Sequence, residues 1–133
     1  MSTSIVVVED DRNTSTLLNT ILTNAGYQVV LWDRGDGAHA LIQREQPQLV
    51  ILDLWLEQPG TGSLLLGVLT RDPTTWHIPI MICTGHKELL GDQAAQLHHL
   101  GYRLLEKPFA PNTLLALVQS LLVPSQALQA GIE

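Results

Sequence analysis

The chain reads as one α/β domain built on a parallel sheet. Three observations predict this. Five short runs rich in β-branched and other apolar residues alternate with five stretches of helical spacing. The first, third and fourth runs are apolar nearly throughout, as strands covered on both faces are. Glycine and proline punctuate the junctions, and the alternation itself implies parallel pairing through right-handed crossovers.

Each element has its own signal. The strand runs are Ile5 to Val8, Tyr27 to Trp32, Leu49 to Asp53, Ile78 to Cys83 and Tyr102 to Leu105. The first helical stripe is Leu17, Leu18, Ile21 and Leu22, and Gly26 follows it. Ala38, Leu41 and Ile42 mark the second, ended by Pro47. Leu64, Leu65, Val68 and Leu69 mark the third. Leu90, Ala94, Leu97 and Leu100 mark the fourth, with Gly101 behind it. The fifth carries Leu114, Leu117, Val118, Leu121 and Leu122. Asn112 or Thr113 can cap it, with Pro111 just ahead.

With 133 residues, 45% of them hydrophobic, the chain has the size and the apolar content of a single domain. The domain is expected over residues 1–124, with a short, loosely held tail at 125–133. The net charge of −6, with two lysines and five arginines scattered along the chain, argues against direct contact with nucleic acid. Cys83 is the single cysteine, so neither an internal disulfide nor a multi-cysteine metal site can form. It lies within an apolar run and is expected to be a buried core residue. The start of the chain lacks the pattern of a signal peptide, and no run reaches the length of a membrane span. A soluble cytoplasmic protein is the expectation.

The chemistry is carried by residues at the ends of the strand runs. Glu9 and Asp10 follow the first, Asp53 closes the third, and Lys107-Pro108 follows the fifth. Carboxyl ends of neighbouring parallel strands converge on one crevice. Three carboxylates crowded there repel one another and call for a cation. They are hard oxygen ligands suited to Mg²⁺, and the Trp55 carbonyl in the following loop can add a fourth oxygen. Lys107 supplies a point charge for a phosphate oxygen, and Thr84 supplies a hydroxyl at the end of the fourth run. These parts suit attack of the Asp53 carboxylate on a phosphoryl group, giving an aspartyl phosphate. Alone, each of these residues also has a plain reading as a turn, a cap or a solvated loop end.

Together, Val6-Val7-Val8-Glu9-Asp10-Asp11, Leu52-Asp53-Leu54-Trp55-Leu56, Thr84-Gly85 and Lys107-Pro108-Phe109 resemble the receiver domains of two-component response regulators. The resemblance runs from Ile5 to about Val123. It implies a flavodoxin-like (βα)₅ doubly wound sandwich with strand order 2-1-3-4-5. It implies that Asp53 is the phosphoacceptor for a sensor histidine kinase or a phosphotransfer protein. It gives Glu9, Asp10 and Asp53 to Mg²⁺, assisted by the Trp55 carbonyl. Thr84 becomes the switch hydroxyl and Lys107 the conserved-type lysine. A cis peptide before Pro108 is expected. Such a protein phosphorylates and dephosphorylates itself and is not a turnover enzyme.

Three departures stand out. Leu104 occupies the position, three before the lysine, where the family places an aromatic switch residue; Tyr102 should share its face. The loop Leu56 to Gly62 is one residue longer than usual, with Thr61 in place of a frequent Asp. The stretch Gly101 to Glu106 is one residue shorter. Trp55 and His86 occupy positions that tune phosphate lifetime in the family, although His86 also reads as an exposed residue near a helix start. No charged residue occurs between Pro108 and Ile132, and the last helix carries more leucines than one stripe needs. That predicts an apolar contact through the fourth helix, fifth strand and fifth helix, with a downstream protein or a second copy; partly exposed leucines without a partner are the plainer reading. The alternative function is a pseudo-receiver, a phosphorylation-independent interaction module. A small phosphatase with an Asp nucleophile is disfavoured, because Trp55 stands where its second Asp belongs.

Overall fold

A computed structural model of the chain describes residues 3–58, 60–85 and 92–132, with the backbone alone for residues 92, 94 and 123–132. The strands are β1 (Ser4–Val8), β2 (Gln28–Trp32), β3 (Leu49–Leu52), β4 (Ile80–Thr84) and β5 (Arg103–Glu106). The described helices are α1 (Arg12–Asn24), α2 (Ala38–Glu45), α3 (Thr61–Arg71), α4 (Asp92–His99) and α5 (Pro111–Ile132). The strands form one five-stranded parallel sheet in the order β2-β1-β3-β4-β5. Both the fold class and the strand order are as predicted.

The alternation of side chains along each strand builds two cores. Val6, Val8, Val50, Leu52 and Ile82 face one way and meet Leu41 and Ile42 of α2, Leu65 and Leu69 of α3, and Leu97 of α4. Ile5, Val7, Ile51, Met81 and Cys83 face the other way and meet Leu18 and Leu22 of α1 and Leu114 and Val118 of α5. The unbroken apolar runs of β1, β3 and β4 follow from this, since neither face of a central strand touches water. Each fully buried Val, Leu or Ile contributes roughly 1.5–3 kcal/mol relative to exposure.

Several boundaries and phases differ from expectation. β4 begins after Pro79, two residues later than Ile78, because proline has no N–H for the ladder. The last helix begins at Pro111, ahead of Asn112 and Thr113; proline fits the first turn, where its missing N–H would have no partner. Its helical backbone runs to Ile132, across the boundary expected at 124. In α3 the buried set is Gly62, Leu65, Leu66 and Leu69, while Leu64 and Val68 are 75% and 45% exposed. Gly62 sets that phase, because it presses on the backbone after Asp53 and carries residues 65, 66 and 69 inward with it. In α1, Leu17 is exposed while Leu18 and Leu22 are buried. Leu115, Leu117, Leu121 and Leu122 of α5 are half-buried against the α1 side of the core, so they widen its stripe instead of forming an exposed face. Tyr102 and Leu104 are both half-buried on the α4 side, the shared face that a two-residue spacing in extended chain requires. Leu90 of the predicted fourth stripe lies outside the described residues. No described helix is long and apolar enough to cross a membrane.

Candidate functional site

The sheet extends its hydrogen bonding one residue past three strand ends. The Glu9 N–H donates to the Trp32 carbonyl at 2.9 Å, the Asp53 N–H to the Val8 carbonyl at 3.1 Å, and the Lys107 N–H to the Thr84 carbonyl at 2.9 Å. These bonds fix the backbone from which the key side chains spring. The Lys107-Pro108 peptide is cis, as the resemblance implied.

The side chains converge. Lys107 Nζ lies 3.0 Å from Asp53 Oδ2 and 2.5 Å from Glu9 Oε1. Oxygens of Glu9, Asp10 and Asp53 all fall within 4.8 Å of one another. Glu9 and Asp53 are buried, at 2% and 4% exposure, while Asp10 is exposed, so the three carboxylates step from the floor of the crevice to its rim. An open cleft of about 570 Å³ leads from Glu9 and Asp10 past Arg12 to Leu31 and Trp32.

Each carboxylate is also held by a backbone amide. Asp53 Oδ1 accepts from the Trp55 N–H at 2.9 Å, Asp10 Oδ2 from the Glu57 N–H at 2.9 Å, and Glu9 Oε2 from the Asp11 N–H at 3.2 Å. Glu9 Oε1, for all its nearness to the ammonium, accepts no aligned hydrogen bond and is buried. Burial first, opposed by Lys107 and helped by the charge of Asp53, pushes the Glu9 carboxyl up to about 7. Burial alone would lower the Lys107 ammonium, but Glu9 and Asp53 outweigh it and hold the group above its ordinary value. Lys107 is therefore a fixed positive charge at neutral pH.

This donor set fits a hard divalent cation. A carboxyl raised by burial and like charge, and three carboxylates in one place against a single ammonium, leave negative charge to be offset. Four sequence-predicted residues, Glu9, Asp10, Asp53 and Lys107, come together. Thr84 ends β4, buried, and its carbonyl receives the lysine amide. Trp55 is half-buried in the loop after Asp53. His86 lies outside the described residues.

Two roles escaped the sequence reading, although Asp11 itself belongs to the acidic motif of the resemblance. Asp11 is the N-cap of α1: its Oδ2 accepts from the Thr14 N–H at 3.1 Å and the Thr14 hydroxyl at 2.6 Å, bonds that hold its carboxyl below the usual range. The signal was available, an Asp three residues before a Thr at the head of an apolar stripe. Glu57 touches Asp10 through its amide, and nothing in local spacing announces that.

The chain matches the family described as the response regulator receiver domain over residues 5–119. It is 32% identical over 121 residues to the phosphate regulon transcriptional regulatory protein PhoB of Pseudomonas aeruginosa, covering 90% of this chain and 51% of that protein. It is 30% identical over 120 residues to the nitrogen assimilation regulatory protein NtrX of Azorhizobium caulinodans, covering 90% of this chain and 26% of that protein. The chain thus spans about half or less of these curated relatives. Among solved structures, the BeF3-activated N-terminal receiver domain of Klebsiella pneumoniae RstA superposes with a TM-score of 0.77 at 32% identity, over 90% of this chain and 97% of that one.

Proposed function

This chain belongs to the response regulator receiver domain family, and from that premise we propose that it accepts a phosphoryl group on Asp53 as a reversible signal. One observation carries the reading: a single ammonium 3.0 Å from a strand-end carboxylate, with two more carboxylates beside it. A phosphorylation-independent interaction module would have no need for that convergence.

The donor is a phosphohistidine on a sensor histidine kinase or a phosphotransfer protein. An Asp53 carboxylate oxygen attacks phosphorus, the bond from phosphorus to the donor nitrogen breaks, and the nitrogen leaves with the electron pair. The product is an acyl phosphate. Lys107 is placed to meet the charge of a phosphoryl oxygen and replaces its present bond to Asp53 with one to the phosphate. Glu9, Asp10 and Asp53, with the Trp55 carbonyl, would hold Mg²⁺, which when bound supplies further neutralisation of the phosphoryl oxygens. The amides of Trp55 and Glu57 keep the carboxylates from swinging away. The Thr84 hydroxyl, at the end of the adjacent strand, senses the new charge. Water later cleaves the acyl phosphate, so the chain resets itself and turns over no external substrate. A phosphohistidine donor is made from ATP, which puts the chain in the cytoplasm.

The output passes through α4, β5 and α5 to a downstream protein or a second copy. Leu100, 66% exposed after α4, belongs to that face. Contact with nucleic acid is not part of the reading, since the few cations are scattered.

Incubation with acetyl phosphate and MgCl₂, followed by intact mass spectrometry, tests the reading. One phosphoryl group is gained by the wild type and none by Asp53→Asn. A wild type that gains nothing, or an Asp53→Asn variant that gains as much, overturns it.

A further inference from the structure

We propose that Glu57 is a positioning residue that clamps Asp10 for the cation and ties that carboxylate to the loop between β2 and α2. The inference rests on the phosphoacceptor reading of the site and goes beyond it. It also gives a use to the lengthened loop after Asp53.

Glu57 works at both ends. Its N–H donates to Asp10 Oδ2 at 2.9 Å, and its side-chain Oε1 accepts from the Gly35 N–H at 2.6 Å. Its backbone sits at φ 52°, in the left-handed region that costs a non-glycine residue free energy. A loop left to itself would relax out of that conformation. The two hydrogen bonds hold it there, and they aim the amide at the metal-site carboxylate.

The far anchor is specific as well. A Cβ on Gly35 would lie 2.6 Å from Thr61 Cγ2 and 3.6 Å from Glu57 Oε1, so a side chain at residue 35 would have to displace the Thr61 methyl where the β2–α2 loop meets Glu57. Asp10 needs this support more than its neighbours do. Glu9 and Asp53 are buried and packed in place, whereas Asp10 is exposed and would otherwise sample several rotamers. With one oxygen tied by an amide, the other is kept for the cation. Partners that orient metal ligands in this way typically change affinity by about 10- to 100-fold when removed.

The test is a titration of the full chain with MgCl₂, followed by tryptophan fluorescence, with melting temperature measured alongside. Glu57→Gly keeps the amide, relieves the positive φ and removes the latch on Gly35. It is expected to weaken Mg²⁺ binding about tenfold without lowering the melting temperature. Glu57→Gln keeps an acceptor oxygen for the Gly35 N–H and is expected to stay within about twofold of wild type. Gly35→Ala attacks the same latch from its other side and is expected to resemble Glu57→Gly. If wild type binds Mg²⁺ and Glu57→Gly binds it equally well, the clamp is wrong and the phosphoacceptor reading stands. If Glu57→Gln is as weak as Glu57→Gly, charge and not the hydrogen bond is at work, and the clamp is again wrong. If wild type itself binds no Mg²⁺, the underlying reading falls and the clamp falls with it.

Discussion

Gly62 of α3 lies so close to Asp53 that a Cβ built on it would fall 2.4 Å from the Asp53 carbonyl oxygen and 2.4 Å from Leu54 Cα. The helix after the acceptor loop therefore rests directly on the backbone of the acceptor. Those neighbours are main chain and cannot turn aside as a side chain could.

Gly62→Ala is therefore expected to destabilise by about 1–3 kcal/mol or more, through forced separation of α3 from β3. Five residues on, Gly67 has open space where a Cβ would go. Gly67→Ala should instead stabilise by about 0.5–1 kcal/mol, as alanine does in a helix interior. Urea unfolding of the two variants checks both signs. Equal effects would mean that helix propensity, and not contact with the Asp53 backbone, decides at residue 62.

Lys107 is the only cation in contact with the Glu9 and Asp53 carboxylates among the described residues. It competes with any metal for the same oxygens. Lys107→Met should therefore bind Mg²⁺ several-fold more tightly, while losing phosphoryl uptake by about 100-fold or more for want of charge on the phosphoryl oxygens. Fluorescence titration and intact mass spectrometry separate the two effects. Weaker Mg²⁺ binding in the variant would show that the lysine organises the carboxylates instead of competing for them.

Why the site was legible and parts of the scaffold were not has a physical basis. Glu9 and Asp53 each close an apolar run and Lys107 stands just past the end of β5, and in a parallel sheet those strand-end positions dictate the crevice. The phase of α3 was misread because Leu64, Leu65, Leu66, Val68 and Leu69 place apolar groups on both sides of the helix. Periodicity cannot choose between two apolar sides; the contact of Gly62 with the Asp53 backbone chooses, and it is tertiary. The extra leucines of α5 posed the same problem, and they pack half-buried against the sheet. The bond from Glu57 to Asp10 spans 47 residues, so no local spacing could reveal it.

Cys83 gives a pH prediction. It is 1% exposed in β4, and burial pushes its thiol up to about 12. The native state therefore keeps the proton longer than the unfolded chain, whose thiol ionises near pH 8.5. Stability from this group is intact below that pH and is lost as pH climbs toward the native value, by roughly 2 kcal/mol between pH 8 and 10. Urea unfolding across that range should fall less steeply for Cys83→Ala than for wild type. Native protein at pH 8 should also resist a thiol reagent that labels the urea-unfolded chain at once. Parallel slopes, or rapid labelling of the native protein, would contradict the buried placement.

Asp10 carries the opposite trade. It adds a third carboxylate beside Glu9 and Asp53, where one of them already bears a lone pair with no aligned donor. Without a cation that crowding works against the fold. Asp10→Asn removes a negative charge and keeps an acceptor oxygen for the Glu57 amide, so in metal-free buffer it should melt higher than wild type by about 2 °C. Added Mg²⁺ reverses the order. Wild type gains RT ln(1 + [Mg²⁺]/Kd), about 1.4 kcal/mol at ten times Kd, while the variant gains little because it has lost a charged ligand. Thermal melts of both proteins with EDTA and with saturating MgCl₂ should therefore cross. Curves that keep one order in both buffers would mean that Asp10 is a rim residue indifferent to the cation, and that Glu9 and Asp53 bind it unaided.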